Sequence, residues 1–225
     1  MKKILIAIAT FLFAACTYSQ KLSQVSFQNG ANLSYFSFSD NQGVLIRMSV
    51  DGKVLEWGME VMADRGYYYA PKLQPYLGRV EYFGQEWDTT LKGKVKSIGA
   101  HAITYFGPQE EVTKRARIKS LGNLQFDYFS QYDGKDLQGK VKMIGHYTLD
   151  YYRQYENEAI RGKLKSIGSM PVTYYTPFDD RYNAGKLKNV GPVYYTWYSE
   201  FDRAKGALKS NNFRATVGSI TFILR

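Results

Sequence analysis

The sequence predicts an all-β fold: a long antiparallel meander of 23-residue hairpin units, forming a twisted, curved or partly closed sheet. Three observations predict it. First, Gly93-Lys94-Val95-Lys96-Ser97-Ile98-Gly99 returns at 116–122, 139–145, 162–168 and 185–191, five copies without an insertion. Second, each block is followed by an aromatic pair: Tyr105-Phe106, Tyr128-Phe129, Tyr151-Tyr152, Tyr174-Tyr175 and Trp197-Tyr198. Third, two strands of nine or ten residues and two turns use up the 23 residues, leaving no room for a helix.

The chain divides into a signal segment at 1–19, an irregular β cap with degenerate repeats at 20–92, five regular repeats at 93–207 and capping strands at 208–225. In the signal segment Lys2-Lys3 precedes an apolar run at 4–15, with small residues at Thr17 and Ser19 before Gln20. That run is too short to span a bilayer, and no transmembrane helix is expected elsewhere. Export to the periplasm, the medium or the outer membrane follows. Leu12-Phe13-Ala14-Ala15-Cys16 resembles a bacterial lipobox with Phe13 where Leu is usual, so a lipoprotein anchored through Cys16 is the alternative. Loss of Lys2 and Lys3 takes the formal charge from +10 to +8. A basic exported protein points to an anionic envelope polymer and away from nucleic acid.

From Lys21 onward, alternating runs 25–27 and 33–38 flank Asn29-Gly30, and runs 44–50 and 53–61 flank Asp51-Gly52, a strong hairpin signal. The segment 67–71, Tyr-Tyr-Tyr-Ala-Pro, reads as a loop or edge because proline cannot donate in a central ladder. Within the repeats, a tight turn at 110–111 and its equivalents would set Ile103 opposite Ile118, Phe126 opposite Val141, Leu149 opposite Leu164 and Val172 opposite Leu187. All four pairs are apolar. The same register would lay Tyr128, Tyr151 and Tyr174 over Gly139, Gly162 and Gly185, and would pair Asp127 with Lys140 and Asp150 with Lys163. The second turn is either a three-residue loop at 97–99 or a two-residue turn beginning at Gly99 with a bulge near Lys96.

A parallel solenoid with one coil per repeat would stack Lys96, Lys119, Lys142, Lys165 and Lys188 about 4.8 Å apart, where like charges repel. A meander separates them by about 9.6 Å. These five lysines and Phe106, Phe129, Tyr152, Tyr175 and Tyr198 fall on one face. They form the candidate binding face, a ridged surface suited to a polysaccharide or other anionic polymer. The competing reading packs the rings under their own lysine stems. The acidic series Glu110, Asp133, Glu156, Asp179 and Asp202 is read as turn-forming, since one carboxylate per repeat is too few for calcium. No nucleophile, phosphate loop or metal-ligand set is recognisable, and His101 and His146 occupy non-equivalent repeat positions. No catalytic residue, cofactor or metal is therefore expected.

The 23-residue rhythm, rich in Gly and Tyr, is similar to that of MORN-type repeats, which form long antiparallel sheets. Their Tyr-x-Gly-x-Trp/Phe core is absent, so no binding residue carries over. Gly-Lys-x-Lys-x-x-Gly followed by Tyr-Tyr also resembles secreted Bacteroidetes repeat proteins over about residues 52–210. The expected function is a non-enzymatic envelope or secreted protein with a scaffold or binding role. The alternatives are an outer-membrane β-barrel with the 95/103/105 row facing lipid, and a hydrolase with unassigned carboxylates.

Overall fold

The computed structural model describes residues 20–61, 72–85 and 88–225. The signal segment with Cys16 and the 67–71 stretch lie outside them. Among the described residues there are eighteen strands and no helix. β1 (Lys21–Gln28), β2 (Asn32–Ser39), β3 (Val44–Ser49), β4 (Val54–Met59) and β5 (Gln74–Pro75) pair in chain order. Asn29 and Gly30, both with positive φ, turn β1 into β2, and Gly52 at φ 76° turns β3 into β4. β6 (Val80–Tyr82) opens a second sheet. It continues through β7 (Val95–Ile98), β8 (His101–Tyr105), β9 (Ile118–Leu121), β10 (Leu124–Tyr128), β11 (Val141–Ile144) and β12 (Tyr147–Tyr151). β13 (Leu164–Ile167), β14 (Met170–Tyr174), β15 (Leu187–Val190) and β16 (Val193–Tyr194) complete it. This eleven-stranded sheet is the antiparallel meander.

β17 (Arg214–Val217) and β18 (Ile220–Leu224) return to the first sheet, where β18 pairs with β1 in parallel. The first sheet thus has seven strands in the order β17-β18-β1-β2-β3-β4-β5. It does more than cap an end, because it lies over the apolar face of the meander. Phe38 meets Phe126 edge-on at 5.3 Å, and one core of buried residues runs from Val25, Phe27 and Phe36 to Ile118, Val141 and Leu187. At roughly 1.5–3 kcal/mol for each large apolar side chain buried, this contact dominates the stability. The structure is not closed into a barrel. Val95 and Ile103, proposed as lipid-facing in the barrel alternative, are buried in the core.

The short turns are the two-residue alternative: Ile98 pairs with His101, and Gly99 has φ 56°. Ala100 keeps negative φ, which gives a type II′ turn with glycine first and lets Pro192 stand second in the last copy. The long side departs from expectation. Phe106 N–H donates to Arg117 O and Ala116 N–H to Phe106 O, both at 2.9 Å, so the loop spans 107–115 rather than turning at 110–111. Equivalent loops span 130–138, 153–161 and 176–184, and buried Leu137 and Ile160 hold two of them down. Burying those side chains draws the chain out of the ladder.

Ile103 therefore pairs with Leu121, Phe126 with Ile144, Leu149 with Ile167 and Val172 with Val190. Tyr105, Tyr128, Tyr151 and Tyr174 face Ile118, Val141, Leu164 and Leu187, not the glycines. The residue skipped at each register shift is Lys96, Lys119, Lys142, Lys165 or Lys188. That bulge lets residues on either side of the lysine share the inner face, so both registers look apolar on paper. It also leaves inner-edge N–H groups aimed at the first sheet: Ile118 donates to Gly52 O, Val141 to Val50 O and Leu187 to Gly30 O.

Candidate functional site

Each bulge turns its lysine outward over a ring. Lys96, Lys119, Lys142, Lys165 and Lys188 lie 5.4–5.8 Å above Phe83, Phe106, Phe129, Tyr152 and Tyr175. The lysines form a comb with teeth about 9.6 Å apart. Lys96, Lys119 and Lys142 are exposed and have no carboxylate within ion-pair distance among the described residues. Lys165 and Lys188 reach Glu156 at 3.6 Å and Asp179 at 2.6 Å. The expected Asp127–Lys140 and Asp150–Lys163 pairs do not form. Asp127 takes Lys114 at 2.6 Å, which the longer loop brings back to the sheet, and Asp150 takes its near neighbour Arg153 at 3.0 Å. Lys114 and Arg153 cover Phe106 and Phe129 from the outer side, away from the 95/103/105 face.

The rings of the candidate face are less available than the lysines. Phe106 is 9 % exposed and Phe129 4 %, while Tyr152, Tyr175 and Tyr198 are half-buried. Their edges meet the aromatic next door: Phe106 and Tyr128 at 6.0 Å, Phe129 and Tyr151 at 5.8 Å, Tyr152 and Tyr174 at 6.0 Å. The hydroxyls of Tyr152 and Tyr175 donate to Val172 O and Tyr195 O at 3.2 and 3.1 Å. Tyr198 lies instead under Lys209 at 5.8 Å. These rings support the cations from beneath.

The other basic series, Lys94, Arg117, Lys140, Lys163 and Lys186, lies over Tyr105, Tyr128, Tyr151, Tyr174 and Trp197 at 4.8–5.5 Å. Its members are half-buried, and burial lowers the pKa of Lys94, Lys140, Lys163 and Lys186. Lys140 Nζ donates to Gly162 O at 2.7 Å, and Lys163 Nζ to Ala31 O and Asn32 Oδ1 at 3.1 and 2.9 Å. This series joins repeat to repeat and sheet to sheet.

The acidic row does form turns. Asp133 Oδ2 accepts from Ser130 N–H and Oγ at 2.6 and 2.9 Å. Asp179 takes the same bonds from Thr176, and Asp202 from Ser199. The Ser130 and Ser199 bonds lower the pKa of Asp133 and Asp202, and Lys188, aided by Thr176, holds Asp179 down at about 2. Residue-type reasoning missed what these turns display. In Ser130-Gln131-Tyr132-Asp133 and its copies the aromatic stands third in a turn closed by a 3.0–3.2 Å main-chain bond. Tyr132, Tyr155, Phe178 and Phe201 are 88, 85, 94 and 90 % exposed. The signal was present as an aromatic every 23 residues, directly before the acid.

His101 opens β8. It is buried between the sheets, with Nε2 2.7 Å from Asp40 Oδ2 and Nδ1 against the Gln20 amide. Asp40 in turn accepts from Gln42 and Val44 N–H, so the pair pins the β2–β3 connection onto β8.

No protein-family model, curated protein or solved structure matches the chain. The fold by itself defines the class: an all-β repeat protein whose antiparallel meander is backed by a second sheet. No helix among the described residues is long and apolar enough to cross a membrane.

Proposed function

We propose that the protein is an exported, non-enzymatic scaffold of the cell envelope or its surroundings that binds an anionic polymer, such as an acidic polysaccharide, along the lysine comb. One observation carries this reading: bulges repeat a solvent-facing lysine at constant pitch, and Lys96, Lys119 and Lys142 are left without a carboxylate partner among the described residues. Lysines held over rings lose less freedom on binding than lysines on bare stems. A row at fixed spacing engages an extended chain through several weak contacts at once.

The test is a Lys96→Gln/Lys119→Gln/Lys142→Gln variant on immobilised polygalacturonate. Three exposed contacts worth about 0.5 kcal/mol each predict roughly tenfold weaker retention, with an unchanged thermal transition. Wild-type retention should fall as salt rises. Equal retention of variant and wild type would remove the comb as the contact surface. Recovery of the native protein in the cytoplasm on cell fractionation would remove the exported assignment.

A further inference from the structure

We infer that the loop edge carries a second, independent site: a row of stacking platforms for an uncharged, extended polysaccharide, formed by Tyr132, Tyr155, Phe178 and Phe201. Four aromatic side chains at 85–94 % exposure are a strong departure from the interior preference of such rings. They occupy the same position in four successive repeats, where Gln109 stands in the first. A hairpin advances the sheet by two strand spacings, so the row has a pitch of about 9.6 Å and a length of about 29 Å.

The loops are built to hold the rings in place. Each neck is closed by paired main-chain bonds, as between Phe129 and Gly139 or Lys140, and Leu137 and Ile160 are buried beneath two of the tips. Carboxylates of Asp133, Asp179 and Asp202 lock their own turns. Preorganised rings give up little freedom when a ligand arrives.

The surroundings choose the ligand. Each of the four loops carries two carboxylates and only one or two cations, although the chain as a whole is strongly basic. Anionic lipid, nucleic acid and acidic glycan all favour the reverse balance. The rings are also separated by polar residues such as Gln131, Asp133, Gln154 and Glu156, so they form no continuous apolar patch of the kind a protein partner buries. An uncharged sugar chain suits both features. Its C–H faces meet the electron-rich faces of separate rings, and its hydroxyls donate to neighbouring carboxylates. Four such contacts along one chain reinforce one another.

The experiment is depletion of the purified protein from solution by insoluble cellulose, chitin and β-1,3-glucan, at low and high salt. Wild type should be depleted by at least one of them, equally at both salt levels. The Tyr132→Ser/Tyr155→Ser/Phe178→Ser/Phe201→Ser variant should keep its thermal transition and bind at least about tenfold more weakly. The lysine-comb variant should bind like wild type here, so the two sites fail separately. Undiminished binding by the aromatic variant would overturn the inference. So would wild type staying in solution with all three glycans, or ring-dependent sedimentation with phosphatidylglycerol vesicles in place of glycan.

Discussion

Tyrosine 151 shows how one residue type does two jobs in this repeat. Its ring fills the core between the sheets, and its hydroxyl donates to Val141 O at 3.0 Å. Tyr105 and Tyr128 make the same bond to Val95 O and Ile118 O, and Trp197 Nε1 to Leu187 O, all at 2.8 Å. Tyr174 is the exception, with a buried hydroxyl that has no partner among the described residues. Burial raises the pKa of Tyr151 and Tyr174 well above the ordinary range, so both hydroxyls stay neutral. Tyr151→Phe should therefore destabilise by about 1 kcal/mol, because it strands a buried carbonyl. Tyr174→Phe should be neutral or stabilise by up to about 1 kcal/mol, since it removes a buried group that has no bond. Urea unfolding midpoints at constant slope would show the contrast, and equal losses would refute it.

At the scale of the hairpin, the glycine that opens each block is set by backbone handedness. Gly93, Gly139, Gly162 and Gly185 have φ of 70–86°, where a Cβ crowds the chain. Ala116 holds the same position at φ 58°. Ala116→Gly should relieve about 1–2 kcal/mol of left-handed strain, partly offset by about 0.4–1 kcal/mol of unfolded-chain entropy, for a small net gain. Gly139→Ala should lose stability through its φ of 72°, with its Cβ also directed at the Arg117 guanidinium. Thermal melts moving up for the first and down for the second are the expected result. A fall for both would mean that Ala116 is held by contacts stronger than its strain. Gly162→Val should lose stability as well, through its φ of 70° and through Lys140 Nζ, 3.2 Å from the point a Cβ would occupy, rather than by crowding Tyr151.

On the scale of the whole molecule, the last two strands join the first in one sheet. β18 pairs with β1, Arg225 N–H donates to Phe27 O, and Arg214 grips Glu60 with both nitrogens at 3.1 and 2.8 Å. Deleting 208–225 strips the parallel partner from β1 and uncovers Phe27, with Ile220, Phe222 and Leu224 gone from the core. The shortened chain should aggregate through the bared strand edge instead of folding as an intact repeat array. A soluble, cooperatively melting product would show that the five repeats hold themselves together.

The sequence alone determined the period, the antiparallel meander and the inward row, because cross-strand charge and side-chain alternation are local properties of a repeated unit. It left the short turn open between a three-residue loop and a two-residue turn with a bulge near Lys96, and the structure decided for the second. It did not determine the long-side register, because Ile118 and Leu121 are both apolar and either satisfies Ile103. The second sheet was legible as strands but not as a cover, since nothing local says which face a distant hairpin will bury. The same holds for His101, whose partners Gln20 and Asp40 lie 81 and 61 residues away. The candidate face divided for a similar reason: alternation puts Phe106 and Lys119 on one side of the sheet, but only packing leaves the lysine in water and the ring beneath it. The loop aromatics stood in plain view every 23 residues. That they face solvent was decided by the closed loop necks, and in two loops by the buried anchors Leu137 and Ile160, which hold the turn tips clear of the core.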